Sequence, residues 1–179
     1  MEQPVYHRLS AGCFIGPVIP DDKPAYIEHF KDRRIYENTA NIPYPYTEAD
    51  ADWWIAHRAS RSANSKETLF AIRNPEGLLI GSVDAGSKVV LGRDHASEIG
   101  YWLAVPYWGQ GLMTEAVAWL CGYAFGELEL TRLTAHVFSF NQRSARVLEK
   151  NGFQIEGLLK KHHLKDGVFI DAYLYALVR

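Results

Sequence analysis

The chain has 179 residues, of which 47% are hydrophobic and 22% are charged, the balance of a soluble globular protein. A chain of this length buries about 68–70% of its unfolded surface on folding, so it needs neither disulfides nor a metal to hold it together. The net charge of −2 and the lack of a basic stripe argue against nucleic acid as the main partner.

The expected location is the cytoplasm, with no membrane partner. The only two cysteines, Cys13 and Cys121, give no disulfide framework. Residues 1–10 lack the charged start and the long apolar stretch of a signal peptide. No run of the sequence approaches the ~18 apolar residues of a membrane span.

The first half of the chain predicts, in order, a short strand over 13–19, a helix over 21–32, an extended loop over 41–47, a second helix over 47–60 and an antiparallel hairpin over 68–84. Asp21 or Asp22 can cap the first of these helices, and Thr47 can cap the second. Pro43 and Pro45 exclude regular helix from the loop.

The second half predicts a strand over 97–105, a helix over 112–125, a strand over 132–138, a helix over 141–152 and a long hairpin over 153–178. Alternation along the first strand places Glu98, Gly100 and Trp102 on one face. The helix that follows has almost no polar face, which predicts a buried helix. Asn141 is the expected N-cap of the last helix, and Gly152 its stop.

This order of elements is typical of a mixed α/β sheet and not of a repeating βαβ fold. The sequence shows no internal repeat, no low-complexity segment and no Gly/Ser linker. We therefore expect one domain over residues 1–179.

The histidines do not predict a metal site. His162 and His163 are adjacent on a predicted strand, so we expect them to point to opposite faces and not to share an ion. We interpret His136 as a strand residue near the site in preference to a base.

Two glycines stand one residue apart in VPYWGQGLMTEA (105–116), between an apolar strand and an apolar helix. Gly109 and Gly111 form either a tight turn or a phosphate cradle, because a helix N-terminus offers free N–H groups and glycine lets an oxygen approach them. The P-loop pattern fails for want of a lysine. The dinucleotide fingerprint fails because Thr114 stands where a third glycine is required, which disfavours a nicotinamide-dependent oxidoreductase.

Three segments at this spacing resemble the GNAT superfamily of N-acetyltransferases, and within it the ribosomal-protein N-acetyltransferase type: EIGYWLAVPYWGQGLMTEA, NQRSARVLEKNGFQIEGLLKK and KDGVFIDAYLYALV. NIPYPYTEADADWW also resembles the acceptor side of these proteins. The resemblance implies a mostly antiparallel sheet with a central V-shaped splay and helices on both faces, with acetyl-CoA in the splay.

The same resemblance implies how the chain contacts acetyl-CoA. The turn from Trp108 to Met113 offers backbone amides to the pyrophosphate, although these two residues depart from the family's Gln/Arg and small-residue positions. The side chain at Met113 is expected to narrow the site near the phosphates. The full set of expected cofactor contacts is Leu103, Ala104, Val105, Gly109, Gln110, Gly111, Leu112, Met113, Thr114, Asn141 and Ser144.

Four side chains are candidates for the chemistry and for acceptor binding. Glu98 is the candidate base, acting through water, because a carboxylate on a central strand is costly without a purpose or a partner; the alternative is a salt bridge or an edge position. The resemblance places Ser144 at the thiol as the candidate acid, against an ordinary first-turn serine. Tyr44 and Tyr46 either bind the acceptor or pack the core. Glu156 and Asp171 are weaker candidates for the base.

The expected activity is direct acetyl transfer from acetyl-CoA to a primary amine, without a metal. The acceptor is either a protein N-terminus or a small molecule, and the sequence does not choose between them. The alternative is a non-catalytic acyl-CoA-binding sensor on the same fold. A homodimer is compatible with such folds.

Overall fold

The structure is a computed structural model that describes residues 4–62, 68–86 and 94–179. Within these ranges, eight strands form one sheet in the order β1–β2–β3–β4–β5–β6–β8–β7, and five helices accompany it. The elements are β1 His7–Arg8, β2 Phe14–Pro17, α1 Lys23–Phe30, α2 Arg33–Asn38, α3 Glu48–Ser62, β3 Thr68–Arg73, β4 Leu79–Gly86, β5 Ala96–Leu103, α4 Leu112–Gly126, β6 Arg132–Phe138, α5 Gln142–Lys150, β7 Gln154–Lys165 and β8 Val168–Val178. The predicted mixed α/β sheet is confirmed, whereas β1 and α2 had not been predicted.

The sheet opens between β5 and β6. Ala96–Glu98 pair in parallel with Arg132–Thr134, and the pairing ends there. Beyond that point β5 continues against β4 as far as Leu103, while β6 continues against β8 as far as Phe138. The two strands therefore diverge, as the V-shaped splay predicted, and the vertex of the opening lies at Glu98.

Alternation along β5 places a different hydrophobic cluster on each face of the sheet. Ile99 and Leu103 belong to the cluster around α4. Trp102 packs on the other face against Tyr26 and Phe30 of α1, with ring centroids 5.7 and 4.6 Å away. Helices consequently cover both faces, and the predicted alternation of this strand is confirmed.

The helix α4 is buried on one side only, which corrects the prediction of a helix buried nearly all round. Leu112, Val117 and Leu120 are almost wholly buried against the sheet. Ala118 and Gly122 are exposed. These two residues are small, so exposing them costs little hydrophobic free energy, and a pattern of apolar letters alone does not distinguish them from core residues.

Three of the predicted helix boundaries are present as specific contacts. The Asn141 side chain accepts a hydrogen bond from the Ser144 amide at 3.1 Å, which caps α5. Gly152 follows the end of α5 with a φ of +83°, a conformation that favours glycine. The Thr47 hydroxyl accepts a bond from the Asp50 amide at 3.3 Å at the start of α3.

Asp22 lies at the start of α1 but its side chain does not cap that helix, which corrects the prediction. Its carboxylate accepts one hydrogen bond from the Ile19 amide and two, each at 2.8 Å, from the guanidinium of Arg73. The Arg73 side chain is 1% exposed and that of Asp22 is 4% exposed. A buried cation needs a counter-charge, so the Asp22 carboxylate forms an ion pair with Arg73 and does not cap the helix.

The tip of the β7–β8 hairpin is tied to α2. The Tyr36 hydroxyl donates to Asp166 at 2.7 Å. Lys165 donates its ammonium group to the carbonyl oxygens of Tyr36 and Thr39, and the same group lies 3.6 Å from the centre of the Tyr36 ring. These contacts add to the hydrogen bond that the Tyr36 carbonyl already accepts from the Thr39 amide, and so fix the end of α2 to the hairpin.

No helix in the described part of the chain is long and apolar enough to cross a membrane.

Candidate active site

A cleft of about 690 Å³ lies along the diverging end of β5. Ile35 of α2 packs with Phe30 and Trp102, whereas Leu148 of α5 packs in the cluster around α4. The two helices therefore lie on opposite faces of the sheet, and the cleft reaches both. Its lining residues are Ile35, Asn38, Thr39, Tyr101, Trp102, Leu103, Tyr107, Trp108, Gly109, Gly111, Leu112, Met113, Thr114, Phe140, Asn141, Gln142, Arg143, Ser144, Arg146, Val147 and Lys150.

The glycine turn opens into this cleft at the start of α4. Gly109 and Gly111 have φ angles of +78° and +86°, and Gly111 is the N-cap of the helix. A Cβ atom at either position would meet nothing within 4 Å. The backbone angles therefore require glycine, while the space above both residues is open. The first N–H groups of a helix have no intrahelical partner and attract anions.

Trp108 connects the turn to β5 and to α5. Its indole N–H donates to the Leu103 carbonyl oxygen at 2.7 Å, and the Arg143 guanidinium lies 5.3 Å from the centre of its ring. A cation over an indole face is a favourable contact. The tryptophan at the family's Gln/Arg position thus joins the strand edge to the helix across the cleft.

The remaining expected cofactor contacts divide into two groups. Leu103, Gly109, Gly111, Leu112, Met113, Thr114, Asn141 and Ser144 line the cleft. Ala104, Val105 and Gln110 do not: the Ala104 amide donates to Ile80 of β4, and the Gln110 side chain donates to the Pro106 carbonyl at 2.9 Å. Met113 is 8% exposed and packs in the α4 cluster, so its side chain is largely taken up by the core.

Sequence reasoning missed Tyr101 as a residue of the site. Its hydroxyl lies 2.8 Å from the Ser144 hydroxyl and donates to the Ser144 carbonyl oxygen at 3.2 Å. Burial raises the pKa of Tyr101 well above its usual range, and Tyr175 adds to the rise, while the hydrogen bond to Ser144 acts in the opposite direction. Tyr101 therefore stays protonated, and its hydroxyl can position Ser144 by hydrogen bonding.

Glu98 lies at the vertex of the opening, where it contacts His136. The carboxylate oxygen Oε1 lies 2.7 Å from Nδ1 of the imidazole. The Glu98 side chain is 36% exposed and that of His136 is 23% exposed, so both are partly buried but still accessible from solvent. The two residues stand 38 positions apart in the sequence, and only the register of β5 against β6 brings them together.

His162 and His163 lie on the same side of β7, which corrects the prediction that they point to opposite faces. Their ring centroids are 4.7 Å apart, and the His162 ring stacks on His136 at 4.8 Å. The cause is a bulge: Leu159 and His163 pair with residues of β8 only two positions apart, and Lys161 has a φ of +52°. Among the residues that the structure describes, no group of three or more His, Cys, Asp or Glu side chains could hold a metal ion.

Neither tyrosine expected at the acceptor lines the cleft. Tyr46 packs edge-on against Phe30 at 4.8 Å, and burial, with a contribution from Asp50, raises its pKa to about 12. Tyr44 is 43% exposed and lies against the ring of Tyr36 at 5.4 Å. Their role at the acceptor stays a prediction. The unpredicted α2 supplies the lining on this side, with Ile35, Asn38 and Thr39.

The helix α5 presents three cations to the cleft that sequence reasoning did not select. Arg143, Arg146 and Lys150 all line it. Their spacing of three and four residues puts them on one helical face, and this spacing was the available signal.

The weaker candidates for the base are engaged elsewhere. Glu156 pairs with Arg132, and this pairing lowers the pKa of its carboxyl group. Asp171 accepts a hydrogen bond from the Lys161 amide at 2.7 Å. Neither of these carboxylates lines the cleft, and the same is true of Glu98 and His136, so what sets Glu98 apart is its place at the vertex of the opening.

Comparison with known proteins gives consistent matches. A family model described as acetyltransferase (GNAT) domain matches residues 14–154. The probable N-acetyltransferase YjcK of Bacillus subtilis is 41% identical over 100 residues, which cover 56% of this chain and 55% of that protein. The [ribosomal protein uS5]-alanine N-acetyltransferase of Escherichia coli is 34% identical over 108 residues, or 60% and 56% of the two chains. The chain spans about half the length of these curated relatives.

Among solved structures, Mycobacterium smegmatis RimJ in complex with CoA-disulfide superposes with a TM-score of 0.80. The sequences are 26% identical, and the superposition covers 96% of this chain and 84% of that one.

Proposed function

The chain belongs to the acetyltransferase (GNAT) family, and on that premise we propose that it moves the acetyl group of acetyl-CoA directly to a primary amine. The observation that carries this proposal is the glycine turn at the start of α4, which opens into a cleft that reaches both faces of the splayed sheet. A cleft of that shape lets a phosphate-bearing donor enter from the α5 side and an amine from the α2 side.

The phosphate end of acetyl-CoA fits the residues present at the turn. The amides that follow Gly111 belong to the N-terminus of α4, where an anion is favoured, and both Gly109 and Gly111 leave room for close approach. Arg143, Arg146 and Lys150 provide positive charge along the same wall.

Two hydroxyl groups, those of Ser144 and Tyr101, are proposed to stabilise the leaving thiolate. Ser144, in the first turn of α5, is proposed to hydrogen-bond the sulfur, and Tyr101 supports Ser144 through the 2.8 Å contact between their hydroxyls. Because the raised pKa keeps Tyr101 protonated, its hydroxyl can hold Ser144 in place by hydrogen bonding, and the Ser144 hydroxyl can stabilise the thiolate by a hydrogen bond as the thioester bond breaks.

The amine is activated at the vertex of the opening, where Glu98 is proposed to provide the basic group. An amine must be neutral to attack a thioester, and a carboxylate beside the acceptor side both attracts an ammonium ion and accepts its proton, directly or through water. The partly exposed position of Glu98 allows this approach. The proposed acceptor is a protein N-terminus or a small amine.

The proposal is tested first by thermal unfolding with acetyl-CoA, CoA, NAD and ATP. A rise in Tm with acetyl-CoA and CoA alone supports the cofactor site, whereas no rise with either overturns the proposal. Release of CoA thiol is then followed with a peptide that begins with alanine and with spermidine. Release that depends on either amine supports the transferase, whereas a CoA-dependent rise in Tm without release from either amine favours a non-catalytic acyl-CoA-binding protein.

A further inference from the structure

We propose that His136, held by Glu98, is the group that takes the proton from the acceptor amine. This inference rests on the proposed function and deepens it, because the base becomes a pair in which Glu98 orients the neutral imidazole and stabilises the imidazolium that forms when the ring accepts a proton. The evidence is the geometry around the vertex of the opening.

The contact between the two side chains fixes the roles of the imidazole nitrogens. An ionised carboxylate can only accept hydrogen bonds, so Nδ1 of His136 carries a hydrogen and donates it to Oε1 of Glu98 across 2.7 Å. In the neutral ring the other nitrogen, Nε2, then has a free lone pair. Nε2 is therefore the atom that can accept a proton, and the nearby carboxylate stabilises the imidazolium that forms.

His136 occupies the correct side of the opening for this role. It lies two residues beyond Thr134, the last residue of β6 that pairs with β5, so it stands on the diverging arm of the strand. Its neighbours Ala135 and Val137 are buried in the α4 cluster. Alternation therefore points His136 to the face that α1 and α2 cover, from which the amine is proposed to enter.

The surroundings of His136 hold the ring in place. Glu98 contacts it from β5, and His162 stacks on it from β7 at 4.8 Å with 23° between the ring planes. His163 contacts His162 in turn, while β8 places the uncharged Leu174 in register with His136. Glu98 is thus the anionic group that contacts the His136 ring. The titratable groups that approach the ring from β7 are His162, which stacks on it, and His163 behind His162.

The proposed step balances in atoms and charge. The ammonium form of the acceptor first gives one proton to Nε2 of His136, and its nitrogen lone pair then forms a C–N bond with the thioester carbonyl carbon. The C–S bond breaks as the tetrahedral intermediate collapses, and the second proton of the amine passes to the thiolate sulfur, directly or through the Ser144 hydroxyl, to give the CoA thiol. The imidazolium later releases its proton to water, so one proton is released for each acetyl group transferred.

The test compares kcat between about pH 5 and 9, the range that brackets histidine titration, for the wild-type chain, H136Q and E98Q, with the amine that releases thiol. In the wild-type chain kcat falls at low pH as Nε2 becomes protonated. H136Q is expected to lower kcat by about 100-fold or more and to abolish that fall. E98Q is expected to keep the fall but to lower kcat, because the imidazole has lost the group that holds its Nδ1 hydrogen. If instead E98Q abolishes the fall while H136Q retains it, the carboxylate acts alone and the inference is overturned.

Two controls separate this inference from the fold and from the proposed function. The rise in Tm with acetyl-CoA must be the same in H136Q as in the wild-type chain, which shows that H136Q folds and binds the donor. H7Q removes a histidine from β1, an edge strand that four strands separate from β6, and should leave the pH profile unchanged. Failure of the wild-type chain to acetylate any amine overturns the proposed function, whereas an unaltered rate in H136Q overturns only the role of His136.

Discussion

Replacing Gly111 by alanine separates a tight turn from a phosphate cradle. Gly111 has a φ of +86°, and a Cβ atom at that position would meet nothing within 4 Å of the chain itself. The cost to stability is therefore backbone strain without a clash, about 1–2 kcal/mol for an L-residue in the left-handed region. For a chain of this size, Tm falls by about 2–4 °C for each kcal/mol.

The effect on ligand binding is expected to be larger than this strain. A ligand at ~100 times its Kd stabilises the folded state by ~2.7 kcal/mol, a rise of about 5–11 °C at the same conversion. If the added methyl group occupies the space of a phosphate oxygen and raises Kd thirtyfold, only about 0.9 kcal/mol of that stabilisation remains.

The matched control is G77A, measured in the same thermal assay with and without acetyl-CoA. Gly77 has a φ of +83°, equally open space and a place in the β3–β4 turn outside the cleft lining. Both variants should lose similar stability without ligand, but only G111A should lose most of the rise with acetyl-CoA. A full rise in G111A would refute the cradle and leave the glycine with a conformational role alone.

Three further outcomes are expected. Y101F should lower kcat about tenfold, equivalent to ~1.4 kcal/mol, with an unchanged Tm rise on acetyl-CoA addition; an unchanged kcat would show that Tyr101 does not position Ser144 for the reaction. D22N leaves Arg73 buried without its counter-charge and should reduce the free energy of unfolding in urea by about 3–5 kcal/mol, whereas D21N, at the exposed neighbouring position, should change it little. Burial, with nearby cationic groups, lowers the pKa of His163 in the folded chain, so the unfolded chain binds more protons than the folded one as pH falls below about 6.5. The free energy of unfolding should therefore decline below that pH. A decline of equal size in H163N would contradict this.

Local patterns predicted the helices and strands that carry a cap, a glycine stop or a clear period. Asn141 and Gly152 bound α5 as expected, since each acts on backbone groups within a few residues. The helix α2, Arg33–Asn38, escaped prediction because six residues are too few to show a 3.6-residue period. Its contribution to the cleft was missed along with it.

The contacts of the candidate site required information that spacing does not contain. Glu98 was selected from its place on a central strand, but its partner His136 depends on the register between two strands. His162 and His163 were expected on opposite faces because alternation assumes an unbroken strand. The bulge that brings their rings together includes Lys161 at positive φ, where no glycine gave a warning.

The tie between the β7–β8 hairpin and α2 has a consequence for biosynthesis. A six-residue helix is too short to persist by itself, and the groups that complete the end of α2 lie 126 to 130 positions later in the chain. At about 5–20 residues per second, a ribosome needs roughly 6–26 s to make that interval. The nascent chain therefore contains the Gly109–Gly111 turn before α2 gains these contacts, and α2 can be tied to the hairpin only after Lys165 and Asp166 have emerged.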